Sequence, residues 1–136
     1  MGDEMNFKIN FLDHVAIRVK DMEVSAKWYN DVLGLEIVKV PEWGPFPIFL
    51  LAGKSGIALF PANEEEPSVP LRSRNVIIDH FAFNVDNDAF AKARKKYEAL
   101  GIKYQFQDHI IFHSIYTEDP DGHIVELTTP VHSTEK

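Results

Sequence analysis

The chain has 136 residues, a formal net charge of −7, 45% hydrophobic and 12% aromatic residues, and no cysteine. Its length suits one domain, and no apolar run approaches the ~20 residues of a membrane span, so a water-soluble globular fold is expected. The missing cysteines exclude disulfides, thiolate metal sites and a cysteine nucleophile, which leaves His, Asp and Glu to hold any metal. An excess of 21 acids over 14 bases disfavours a nucleic-acid surface, and Arg72 with Arg74 is too small a basic cluster to reverse that.

Met1 to Met5 carries no basic n-region and leads into no long apolar stretch, so a cytoplasmic location with no membrane partner is expected. Leu12 to Val19 is rich in β-branched residues and reads as a strand. Asp21 can cap a helix over about 22–33, where Val24, Trp28, Val32 and Leu35 recur at helical spacing and Gly34 gives the stop. Extended stretches near 36–41, 46–52 and 56–61 follow, punctuated by proline and glycine. Residues 63–75 are polar and hold prolines and an acidic run, the pattern of a connecting loop.

The order then restarts. Ile77 to Val85 reads as a strand, Asn87 or Asp88 as the cap of a helix through Leu100 closed by Gly101, and 102–107, 110–118 and 123–129 as extended runs. At an offset of 66 residues, Asp13, His14, Ala16 and Val19 fall on Asp79, His80, Ala82 and Val85. Such a repeat implies two modules, each needing cover for one sheet face. The expected architecture is α+β, a single domain over 1–136 built from duplicated βαβββ modules at about 11–62 and 76–129, joined by the loop 63–75.

Duplication places His14 and His80 at equivalent strand starts, where pseudo-symmetry can bring two imidazoles together. A metal would also need a carboxylate. Glu126 in the last strand is the candidate, either as a ligand or as an outward-facing glutamate, and the Asp119-Pro120-Asp121-Gly122 turn sets where its strand begins. Trp43, Phe46, Phe49, Phe60, Phe81, Phe83, Phe112 and Tyr116 read mostly as core aromatics, with the lining of a site for an apolar or aromatic ligand as the alternative. The Trp43-Gly44-Pro45-Phe46-Pro47 loop could form a lid or a dimer contact.

Leu12-Asp13-His14-Val15-Ala16-Ile17, Trp28-Tyr29-Asn30-Asp31-Val32-Leu33-Gly34-Leu35, Asp79-His80-Phe81-Ala82-Phe83-Asn84-Val85, Ser114-Ile115-Tyr116 and Asp119-Pro120-Asp121-Gly122-His123-Ile124-Val125-Glu126-Leu127 together resemble the vicinal oxygen chelate superfamily. That superfamily includes glyoxalase I, methylmalonyl-CoA epimerase, fosfomycin thiol transferases, extradiol dioxygenases and bleomycin-binding proteins. The resemblance spans about 12–129. It implies a cupped mixed sheet of glyoxalase-like fold around a divalent ion, Fe, Zn, Ni or Mn, held by His14, His80 and Glu126 with positions open to a small oxygenated substrate. Arg18 matches the arginine that in glyoxalases pairs with a glutathione carboxylate, and Tyr116 lies in a hairpin similar to that of the thiol transferases, so both are expected to bind substrate.

The reaction implied first is a glyoxalase-like lyase or isomerase. An extradiol-type dioxygenase using His109 or His113, a thiol transferase, and a non-catalytic drug-binding protein are the alternatives. Where glyoxalase I and the epimerase use a fourth ligand, the alignment puts Ala58, unless it slides to a group such as Glu64, so no catalytic base is assigned. Many relatives build the site across a two-fold axis, and a homodimer is expected.

Overall fold

The computed structural model describes residues 5–70 and 72–131. The first module runs β1 (His14–Val19), α1 (Met22–Leu33), β2 (Glu36–Val38), β3 (Ile48–Ala52) and β4 (Ser55–Pro61). The second runs β5 (Phe81–Asn84), α2 (Asn87–Leu100), β6 (Gln105–Asp108), β7 (Phe112–Glu118) and β8 (Ile124–Pro130). Each module forms a four-stranded mixed sheet, in the orders β1-β4-β3-β2 and β5-β8-β7-β6, with the first and last strands of each module parallel. The fold is thus α+β with two βαβββ units, its strands divided between two sheets rather than running as one.

Local chemistry explains the helix limits. The Asp21 carboxylate accepts from the backbone N–H groups of Glu23 and Val24, and Gly34 closes α1 in the left-handed region at φ 70°. The second helix is capped by Asp86, not by Asn87 or Asp88, since it is the Asp86 carboxylate that reaches the Ala89 N–H at 2.8 Å. Val24, though at helical spacing, is half exposed.

Several strands are shorter than their composition suggests. The stretch 36–41 ends at Val38, and a 3₁₀ turn at Pro41–Trp43 follows because proline cannot donate to a ladder. The stretch 46–52 starts only after Pro47. The runs at 102–107 and 110–118 narrow to Gln105–Asp108 and Phe112–Glu118. The largest difference lies at 77–85, where pairing begins only at Phe81 and leaves Val76 97% and Ile78 78% exposed. Apolar β-branched residues there satisfy strand propensity without finding a partner strand among the described residues.

One face of each sheet packs on the helices. Ile17, Val19, Leu50, Ile57 and Leu59 form a core with Ala26 and Tyr29 of α1, and this core also takes in Val125 of β8. Val32 of α1 belongs instead to the second core, with Phe90, Tyr97, Ile115 and Leu127. Trp28, Leu33 and Phe83 touch both, so α1 is the apolar joint between the modules.

A polar clasp reinforces that joint. The fully buried Tyr29 hydroxyl donates to Asp119 Oδ2 at 2.7 Å, while Asp119 Oδ1 accepts from the backbone N–H groups of Asp121 and His123, each at 2.9 Å. Asp121 accepts from the Lys20 N–H and the Ser25 hydroxyl, and the His123 ring donates to the Arg18 carbonyl at 2.9 Å. The turn between β7 and β8 therefore grips both the end of β1 and the body of α1.

Two outcomes follow from this packing. Tyr29→Phe strands a buried carboxylate oxygen and is expected to cost about 2 kcal/mol in urea unfolding, with the sheets retained. Burial, followed by the Asp119 charge, raises the ionisation of Tyr29 above the ordinary tyrosine range, and burial does the same for Tyr97. The unfolded chain then loses those protons first, so their stabilisation is complete below about pH 10 and falls as pH rises beyond it, which denaturant midpoints across alkaline pH will register.

Candidate functional site

The faces turned away from the helices carry the chemistry. On the first sheet, register pairs His14 with Gly56, Ala16 with Ala58 and Arg18 with Phe60, while Phe49 faces Ala58 from β3. On the second, Ala82 pairs with Glu126 and Tyr116 faces Glu126 from β7, with His80 just before β5. The two arrangements superpose in kind, each with a histidine, an alanine two residues on, and a β4 or β8 residue opposite that alanine. Ala58 therefore stands in register where Glu126 stands in the second module, and Glu64 lies beyond the end of β4. Glycine is required opposite His14, because a Cβ on Gly56 would meet the Leu50 carbonyl oxygen at 2.1 Å.

Both histidines are held alike. His14 Nδ1 lies 2.8 Å from Asp13 Oδ2, and His80 Nδ1 lies 2.7 Å from Asp79 Oδ2. An ionised carboxylate only accepts, so each Nδ1 carries a proton, which for His14 leaves Nε2 on the other side of the ring as the lone pair. His80 Nε2 sits 2.9 Å from Glu126 Oε1. Glu126 is buried, and its other oxygen accepts from the Ser114 hydroxyl at 2.5 Å.

Tyr116 completes this face. Its ring meets that of His80 edge-on at 5.5 Å, and its hydroxyl lies 3.0 Å from His109 Nε2. His109 comes from the β6–β7 loop, where Ile110 takes φ 73°. Burial, with the Glu126 charge next, raises the Tyr116 ionisation, so the phenol is a proton holder rather than a phenolate. His113 lies apart from this group, stacked edge-on against Phe106 and 3.6 Å from Asp108.

The structure thus joins His80, Glu126 and Tyr116, while His14 stays on the first sheet against Phe49, ring centroids 5.1 Å apart. Among the described residues of one chain, no three His, Asp or Glu side chains gather closely enough to hold an ion. Arg18 donates to the Pro61 carbonyl at 2.9 Å and lies over the Phe60 ring, in the wall of a cavity of about 600 Å³ that also reaches His80. Trp43 and Phe46 of the proline-rich loop fold onto Phe49 and Phe60, so the first sheet's open face is aromatic where the second is polar. Sequence reasoning missed Asp13, Asp79 and Ser114 as partners of the site. The signal was present, since each histidine is preceded by an aspartate at the repeat offset.

Chemically, the donor set suits a divalent cation. It offers His14 Nε2, left as a lone pair by the Asp13 contact, and the buried Glu126 carboxylate, whose hydrogen bond with His80 Nε2 a cation between them would replace.

Comparison with known proteins bears on the fold and the family. The family model of the Glyoxalase/Bleomycin resistance protein/Dioxygenase superfamily matches residues 11–127. Mitochondrial methylmalonyl-CoA epimerase of Mus musculus is 30% identical over 133 residues, covering 89% of this chain and 74% of its own. Metallothiol transferase FosB of Staphylococcus epidermidis is 28% identical over 125 residues, covering 90% and 83%. The crystal structure of lactoylglutathione lyase from Agrobacterium tumefaciens superposes with a TM-score of 0.69 at 26% identity, covering 89% of this chain and 94% of that one.

The tautomer assignment can be read directly. Ring-nitrogen NMR is expected to find the proton on Nδ1 of His14, and Asp13→Ala is expected to release that preference; an Nε2–H tautomer in the wild type would contradict the orienting role.

Proposed function

The chain belongs to the glyoxalase/bleomycin resistance protein/dioxygenase superfamily, and from that premise we propose that it is a metal-dependent enzyme acting on a small oxygenated substrate at a site shared between two copies. His14 of one copy and the His80–Glu126 pair of the other would hold a divalent ion. The observation that carries this reading is the pair of matching Asp–His dyads, one of them already against the buried Glu126. Division of the ligands between two sheets that one chain does not bring together supports a homodimer. So do the exposed apolar residues just ahead of each histidine, Phe11 and Leu12 in one module and Val76, Ile77 and Ile78 in the other.

Bound there, a divalent ion would supply Lewis acidity toward adjacent substrate oxygens. The chain's own residues would do the rest. Asp13 and Asp79 hold the imidazoles in register, Ser114 fixes the second oxygen of Glu126, and the aromatic face of the first sheet excludes water. Tyr116, protonated and backed by His109, can deliver a proton to an oxygen or hold a hydrogen bond to one.

A glyoxalase-like lyase or isomerase is the first reading. Ala58 supports a second, because alanine at the register position of Glu126 can neither ligate nor accept a proton. A group transfer that adds a nucleophile to substrate needs no base there. Relatives named as an epimerase and as a metallothiol transferase stand on either side of this division.

Metal analysis of untagged protein tests the proposal. One ion per chain is expected in the wild type, with loss in His14→Ala and in Glu126→Ala. Because a mixed dimer of these two variants rebuilds one intact site of two, co-folding them in equal amounts is expected to restore about a quarter of the metal. No restoration, with both variants dimeric, would place the site within one chain; no metal in reconstituted wild type would remove the catalytic reading.

A further inference from the structure

The loop between β2 and β3 leaves its two largest side chains at the surface, and neither the core nor the proposed metal ligands account for that. Trp43 is 47% and Phe46 42% exposed, although each already touches a ring on the sheet, Phe49 at 5.5 Å and Phe60 at 6.1 Å between centroids. Phe49 also meets His14 edge-on, so an apolar wall runs from the loop to the first sheet's candidate ligand. Small residues lie at the foot of this wall. Ile57 and Leu59 point into the core, which turns Ala58 to the open face, paired with Phe49 on one side and Ala16 on the other. Ala58 is fully buried, so its larger neighbours already close over it, whereas Ala16 is exposed. What stays open is a strip over Ala16, two residues from His14, with the aromatic wall along one side.

The loop is held in place before anything binds. Pro41, Pro45 and Pro47 restrict its backbone, while the Trp43 N–H donates to the Val40 carbonyl at 2.9 Å and the Gly44 N–H to that of Pro41 at 3.0 Å. Rings placed in advance lose little freedom on meeting a ligand. The exposed parts of Trp43 and Phe46 together amount to on the order of 200 Å². A stable subunit contact needs about 800 Å² from each partner, so this patch is too small by itself for a second copy and suits a ring or two of a small molecule. We propose that the strip seats the flat apolar body of the substrate, an aromatic ring or a fused pair of rings, with Trp43 and Phe46 as the residues that select for it. Rings gain from offset or edge-on packing with other rings beyond the gain from area. The loop rings stand tilted from the sheet rings, at 49° and 63°, so a third ring can pack against them. The inference rests on the function proposed above and narrows its substrate class, with the substrate oxygens toward His14 and the ring against the wall.

Amide NMR titration with naphthol and with decahydronaphthol, its saturated counterpart, tests this without using activity. Saturable shifts at residues 43–49 and 14–18 are expected with naphthol, and decahydronaphthol is expected to bind about tenfold more weakly or not at all. Trp43→Ala and Phe46→Ala are each expected to lose about tenfold in naphthol affinity, while Trp43→Phe retains most of it. Equal binding of decahydronaphthol, shifts confined to other surfaces, or unchanged affinity in both alanine variants would overturn the inference. So would a dimeric wild type that Trp43→Ala turns into a monomer in sedimentation, since the patch would then be a subunit contact. Circular dichroism of each variant checks that the fold persists. Titrations of metal-loaded and of chelated protein separate the two readings. Failure of naphthol to bind while metal is held would remove only the ring site, whereas naphthol binding in a protein that takes up no metal would remove only the proposed metal chemistry.

Discussion

The Asp119 carboxylate is the point on which the two modules are joined. It lies in the turn that launches β8, is 95% removed from solvent, and is met by the Tyr29 hydroxyl and two backbone N–H groups. A buried charge of this kind costs several kcal/mol unless fully hydrogen-bonded, so its partners must stay where they are. Tyr29 is on α1, in the other module, and Asp121 and His123 of the same turn hold Lys20, Ser25 and Arg18. The direction in which β8 leaves the turn, and with it the place of Glu126, is thereby referred to the first module. Packing of Trp28, Leu33 and Phe83 into both cores supplies the area; the clasp supplies the register.

On that frame, duplication has produced two open faces of different character. Equivalent positions hold Ala58 and Glu126, and Phe49 and Tyr116. One face is aromatic and nearly without polar groups save His14 and Arg18. The other bears a buried carboxylate with its hydroxyl donors. Neither is a complete reaction site by the chemistry proposed for it, because the first lacks a carboxylate and the second has one histidine. Complementarity between unlike halves, rather than symmetry between like ones, would favour the proposed pairing of the first face of one copy with the second face of another.

Much of this was legible in the sequence because it rests on short-range rules. Asp21 and Gly34 delimit α1, Gly101 closes α2, and the Asp-His repeat at 66 residues announces equivalent strands. The β4 residue opposite Ala16 could be aligned with Glu126 by pattern alone, and the register agrees. Less legible was whatever depends on partners distant in the chain. Ile77 and Ile78 read as strand because β-branched residues favour extended backbone, but a strand needs a neighbour and none pairs with them among the described residues. The Asp119 turn was read as a local device, since nothing nearby in sequence points to Tyr29 ninety residues earlier. Ser114 likewise looks like an ordinary strand serine until β7 is laid against β8.

The linker shows how little composition says about position. Residues 63–75 are polar and proline-rich, which predicts an irregular path and is silent about where that path runs. Arg72, at φ 63°, pairs with Glu118 at the end of β7, and Arg74 lines one cavity with residues of β1 and of the approach to β5.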